Sequence, residues 1–179
     1  RANYLAEDRP EIKFCTKEAA RFMANPTTIG HDMVKRCARY LLGVPRLVQR
    51  MERQTYHEIA DGYSDSDHAG CKRTRRSTSC CILMHGRHFI KMLCTTQIPI
   101  ALSSGESEWH ALVRTASALL GFVNMAKDMG RALKPRLQVD AEAAKGIASR
   151  RGVGKIRHLD TTTLWLQRHV TEKKIQLLK

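Results

Sequence analysis

The sequence predicts a mixed α/β fold, a sheet flanked by helices, preceded by a helical hairpin. Two observations carry this reading. Up to about residue 50 the apolar positions recur only at helical spacing. From about Met51 the texture changes to short β-like runs, and then helix and strand patterns alternate.

Taken in order, Asp8-Arg9-Pro10 opens a helix with proline in its first turn, and Asn25-Pro26 closes it. Its face is Ile12, Cys15, Ala19 and Phe22. Thr27 or Thr28 caps a second helix with the stripe Val34, Cys37, Ala38 and Leu41, which Gly43 and Pro45 end. A hairpin this small needs a surface to dock on. The sequence then gives a strand in "EIADGYSDSD" and a β-hairpin, "STSCCILM" and "HFIKMLCTT", turned at His85-Gly86-Arg87. A long helix spans about Ser104 to Met129 and Gly130 stops it. "PRLQVD" is a fourth strand, "AEAAKGIASR" a short helix, His158 to about Lys173 a last helix, and "IQLLK" the start of a final strand. Residues 1–50 and 51–179 are thus the expected domains.

Composition narrows the partners. Lys plus Arg number 31 against 17 Asp plus Glu, a formal charge of +14, which points to a polyanion. Basic residues cluster in two loop-like stretches: Lys72, Arg73, Arg75 and Arg76, then Arg150, Arg151 and Lys155, where phosphate contacts would give sequence-independent affinity. No apolar run approaches the roughly 20 residues of a membrane span, and the start lacks signal-peptide features. The expected setting is intracellular, cytoplasmic or nuclear, with no membrane partner. A first residue of Arg1 instead of Met suggests a piece of something longer. The six cysteines show no C-x-x-C spacing and read as reduced thiols, with adjacent Cys80 and Cys81 facing opposite sides of a strand. Only His85 and His88 are closely spaced among the histidines, so zinc is not expected.

The stretch "ALSSGESEWHAL" holds two glutamates at a helix start. Ser103 with Glu106 makes a capping box. Glu108 instead shares the apolar stripe of Leu112, Ala116 and Leu119, where a carboxylate needs a partner or a metal. Asp65 on the first strand and Asp140 at the end of the fourth fall on equivalent ends. Such acids repel one another, and a hard divalent cation is what holds a cluster of them together.

The blocks "GYSDSDHAGCKRTRRSTS", "ALSSGESEWHAL" and "VDAEAAKGIAS…GKIRHLD" resemble the ribonuclease H domain of copia-type retrotransposon Pol polyproteins, over Gly62 to Lys179. Upstream, "RFMANPT" and "ARYLLG" resemble the closing segment of the reverse transcriptase in those polyproteins. The resemblance implies an RNase H-like mixed five-stranded sheet and Mg²⁺-dependent cleavage of the RNA strand of RNA:DNA hybrids, with two Mg²⁺ ions or Mn²⁺ in their place. Position by position it makes Asp65, Glu108 and Asp140 the catalytic metal ligands, with Asp67 the rival to Asp65 and Glu106 the cap. The family's fourth acid lies on a helix after the last strand, and the chain is expected to stop short of it; Asp160 reads as structural or as a lesser ligand. His68 where Trp is usual, and Ala141 where Asn is usual, affect fine positioning. The reverse transcriptase portion of the same polyprotein is the implied protein partner, and oligomeric state stays open. Two other readings compete: a non-catalytic nucleic-acid-binding remnant, and an integrase-type strand-transfer enzyme. The intervals of 43 and 32 residues between the acids, and the glutamate on the first long helix, favour the hydrolase.

Overall fold

A computed structural model describes residues 1–154 and 156–179. The chain divides into two compact units, Arg1–Met51 and Glu52–Lys179.

In the first unit, α1 (Ala2–Asp8) precedes a 3₁₀ turn at Pro10–Ile12, α2 (Lys13–Ala20) and α3 (Thr28–Gly43). The single helix expected from Asp8 onward is therefore corrected. Arg9 leaves helical geometry at φ −122°, because the residue before a proline is pushed out of the α region, and α1 forms on its own side of that break. Ala6, Ile12 and Cys37 make a small core, with Cys15 and Leu41 packed against it. Thr27 caps α3 by accepting from the Gly30 amide at 3.2 Å. Gly30 is required there, since a Cβ would sit 2.7 Å from that of Phe22. Of the expected α3 stripe, Val34 and Ala38 remain exposed.

The second unit is built on one sheet. Its strands are β1 (Ile59–Ser66), β2 (Thr78–His85), β3 (His88–Thr96), β4 (Lys134–Val139) and β5 (Gln176–Leu178), in the spatial order β3-β2-β1-β4-β5. The first three are antiparallel neighbours, while β4 runs parallel to both β1 and β5. This is the mixed five-stranded sheet the sequence predicts. The helices are α4 (Ser104–Asp128), α5 (Glu142–Ser149) and α6 (Trp165–Thr171). The last was expected from His158. Instead, the chain passes through a 3₁₀ turn at Thr161–Thr163, whose start Asp160 caps by accepting from the Thr162 amide at 2.8 Å.

α4 lies on the sheet. Trp109, Leu112, Ala116 and Leu119 on its buried face are fully enclosed with Leu137 of β4, Leu166 of α6 and Ala60 of β1. Each buried leucine contributes roughly 1.5–3 kcal/mol relative to exposure. The helix approaches β1 closely because residue 62 is glycine, where a Cβ would meet Thr115 at 3.0 Å. That approach seats the middle of α4 on the middle of β1.

Candidate active site

Strand register brings the first two acids together. β1 and β4 are parallel neighbours with Ser64 opposite Val139, so the next residues, Asp65 and Asp140, lie side by side at the same end of the sheet. The N-terminus of α4 reaches that end and supplies Glu108. Carboxylate oxygens of Asp65, Glu108 and Asp140 all lie within 4.8 Å of one another.

The three differ in setting. Asp65 and Asp140 are exposed and make no hydrogen bond or ion pair among the described residues. Glu108 is 9% exposed; its Oε1 accepts from the Ser66 amide at 3.3 Å, while its buried Oε2 has no partner among the described residues. Burial pushes the Glu108 carboxyl above the ordinary carboxylate range, and the Asp65 charge pushes the same way. The Ser66 bond opposes that rise and Asp140 adds to it. An inward oxygen with no donor, beside two further carboxylates, is a donor set that fits a hard divalent cation.

The neighbouring acids are occupied. Asp67, the rival ligand, accepts from the Thr78 amide at 2.6 Å, closing the loop between β1 and β2. Glu106 is 4% exposed and accepts from the Leu102 amide at 2.8 Å, while its own amide donates to Ser103 Oγ at 3.2 Å. The capping box thus forms with the carboxylate one residue further back than the usual reciprocal contact. Glu106 also meets His158 Nε2 at 3.0 Å and His110 Nε2 at 3.7 Å. Burial raises the Glu106 pKa, but His158, the Leu102 amide and His110 outweigh it and hold the group below its ordinary value.

Lys72, Arg73, Arg75 and Arg76 are exposed on a tight loop in which the Arg75 amide donates to the Cys71 carbonyl at 2.7 Å and Arg75 adopts φ +56°. Arg151 is exposed, whereas Arg150 turns back to donate to the Val153 carbonyl at 2.6 Å. Lys155 lies outside the described residues.

Several buried polar groups, one of which holds the head of α4, lie outside the residues the sequence singles out. Gln97, 6% exposed, donates to Ser79 Oγ at 2.9 Å and to the Ser107 carbonyl at 2.8 Å, tying the sheet to the first turn of α4. Gln167 of α6 donates to the Ile147 and Gly152 carbonyls at 2.9 and 3.0 Å and accepts from the Gly152 amide at 2.9 Å, holding the loop after α5. Asp61 of β1, 4% exposed, receives Arg136 Nε and Nη2 at 2.5 and 2.9 Å. A charge in the middle of a central strand was the available signal for that pair.

Fold and site define an α/β domain with three converging carboxylates at one end of a mixed sheet. Its relatives include polyproteins of mobile elements. The chain is 30% identical over 130 residues to the retrovirus-related Pol polyprotein from transposon RE1 of Arabidopsis thaliana, covering 71% of this chain and 9% of the relative. It is 24% identical over 173 residues, 96% of its length, to 13% of the Pol polyprotein from transposon TNT 1-94 of Nicotiana tabacum. An uncharacterized mitochondrial protein of A. thaliana is 32% identical over 116 residues, with 65% of this chain covering 48% of that protein. The chain is thus homologous to a segment of copia-type retrotransposon Pol polyproteins, and spans about half or far less of the relatives it matches. No family model matches it. Similar solved structures include a ribonuclease H1 isolated from compost, at 12% identity and TM-score 0.45 over 68% of this chain and 83% of that one. The complex of that enzyme with an RNA/DNA hybrid matches at 13% identity and TM-score 0.43, over 66% of this chain and 83% of the other.

Proposed function

We propose that the chain is a ribonuclease H, cleaving the RNA strand of RNA:DNA hybrids in the reverse transcription of a retrotransposon, with residues 1–50 the end of the adjoining reverse transcriptase. The observation that carries this reading is the convergence of Asp65, Glu108 and Asp140 within 4.8 Å. Homology to Pol polyproteins supports it.

These three residues would hold magnesium, with manganese as its substitute; two such ions, when bound, activate water and stabilise the leaving oxygen of a phosphodiester. Glu108 is the anchor, because the Ser66 amide fixes one of its oxygens and leaves the other for the cation. Asp65 and Asp140 face solvent, so a cation they would hold is accessible to substrate phosphate. Ser103 and Glu106 hold the head of α4, and with it Glu108, in register. Lys72, Arg73, Arg75, Arg76, Arg150, Arg151 and Lys155 supply positive charge for the hybrid backbone; Arg150 serves through its loop unless it swings free. Contacts to 2′-hydroxyls across the minor groove are what would distinguish RNA from DNA.

The test is an end-labelled RNA:DNA hybrid incubated with Mg²⁺ or Mn²⁺. Cleavage leaves 3′-hydroxyl and 5′-phosphate on the RNA, stops on chelation, and spares a DNA duplex. Failure with both ions, in a chain that still binds hybrid, overturns the enzymatic reading and leaves a binding remnant. Replacing Arg75 and Arg76 together with Ala should lower the slope of log K against log salt by roughly 2. An unchanged slope removes that loop from the interface.

A further inference from the structure

We propose that Cys80 and Cys94 are a redox-responsive dithiol, which a low-molecular-weight disulfide converts to a cross-strand disulfide in the strand row that carries Asp65. Cys80 of β2 stands directly opposite Cys94 of β3, and their sulfurs are 3.6 Å apart. Opposed residues of an antiparallel pair have Cα atoms about 4.5–5.5 Å apart, inside the roughly 4.4–6.8 Å window of a disulfide. Side-chain rotation therefore suffices to close the bond, without moving the strands apart or along one another. Neighbouring Cys81 is no competitor, since its side chain points to the other face and is 2% exposed in the core.

The two thiols have different access. Cys94 is 5% exposed, whereas Cys80 is half-buried and is the entry point. The Cys80 thiolate attacks one sulfur of the disulfide RSSR, forming a mixed disulfide and expelling one RS⁻. Cys94 then attacks the Cys80 sulfur and expels the second. Two cysteines are oxidised, RSSR is reduced to two RSH, and the two protons lost by the protein end on those thiols.

The position gives the bond a consequence. Asp65 of β1 is the register partner of Cys80, so Asp65, Cys80 and Cys94 form one row across three strands. Ser79, next to Cys80, receives Gln97, which also holds the first turn of α4. A covalent tie at this row fixes the strand spacing beside the acid cluster and closes the β2–β3 hairpin at its open end.

The experiment exposes the full, reduced chain to glutathione disulfide, blocks remaining thiols with N-ethylmaleimide under denaturing conditions, and maps the peptides. The expected product links Cys80 to Cys94, leaves Cys81 alkylated, and disappears on dithiothreitol treatment. In Cys94→Ser the reaction stops at a glutathione adduct on Cys80. A persistent adduct on Cys80 in the unsubstituted chain, a link from either cysteine to Cys81, or recovery of both thiols unreacted would each overturn the proposal.

Discussion

Asp61 and Asp65 stand four residues apart on β1 and on the same face, yet the fold treats them in opposite ways. Asp61 lies opposite Arg136 in the parallel register, takes its two-pronged guanidinium and also accepts from Gln138 at 3.0 Å. Burial acts to raise the Asp61 pKa, and the bonds from Arg136 and Gln138 outweigh it, holding the group below its ordinary value. Asp65 lies at the strand end, where the neighbours are Glu108 and Asp140. One acid is neutralised inside the fold; the other meets only further acids there, and under the proposed function it is left for a cation. A charge on a central strand is thus read by what stands beside it in register, and the residue type alone does not distinguish the two roles.

Asparagine at each position separates them. Asp65→Asn is expected to reduce hybrid cleavage by about 10³-fold or more, as several kcal/mol of metal-borne charge stabilisation is lost. Its apo stability should stay level or rise, because a charge that repels Glu108 has gone; a urea midpoint that falls instead would make Asp65 structural. Asp61→Asn should do the reverse, costing about 3 kcal/mol in urea unfolding by leaving Arg136 without its carboxylate, with turnover per folded molecule retained. Loss of turnover at full stability would place Asp61 in the chemistry. The smallest effect is on pH dependence. Since the folded pKa of Asp61 lies below the unfolded value of about 3.9, its contribution is complete above that value and fades as pH falls through the folded one. Urea midpoints at pH 6 and pH 3 should therefore differ by more in the unsubstituted chain than in Asp61→Asn. Equal differences would remove the ion pair as a source of acid sensitivity.

The sheet and α4 were legible because their signals are local: alternation in β2 and β3, a serine cap, a glycine stop and a long apolar stripe. The convergence of Asp65, Glu108 and Asp140 at one end of the sheet was legible because strand ends and helix heads can be aligned by pattern. Glu106 was rightly read as a cap, but its contacts with His158 and His110 were not, since they join residues brought near only by the tertiary fold. Gln97 and Gln167 were invisible for the same reason: a buried amide satisfies backbone groups of distant loops and leaves no periodic trace. A proline in a first turn reads as opening a helix, yet the stretch before Arg9 has enough helix formers, Ala2, Leu5, Ala6 and Glu7, to make one of its own.

The separation of the three carboxylates along the chain has a kinetic consequence. Asp65 and Asp140 are separated by β2, β3, α4 and β4, and Glu108 lies on α4 between them. No short segment of the chain carries two of the three, so a divalent ion has nothing to grip until β1, α4 and β4 are all in place. Under the proposed function we expect its bonds to form after the rate-limiting crossing, in which case a bound ion slows unfolding while leaving the folding rate almost unchanged. Stopped-flow chevrons with and without Mg²⁺ should share a refolding arm and part company on the unfolding arm.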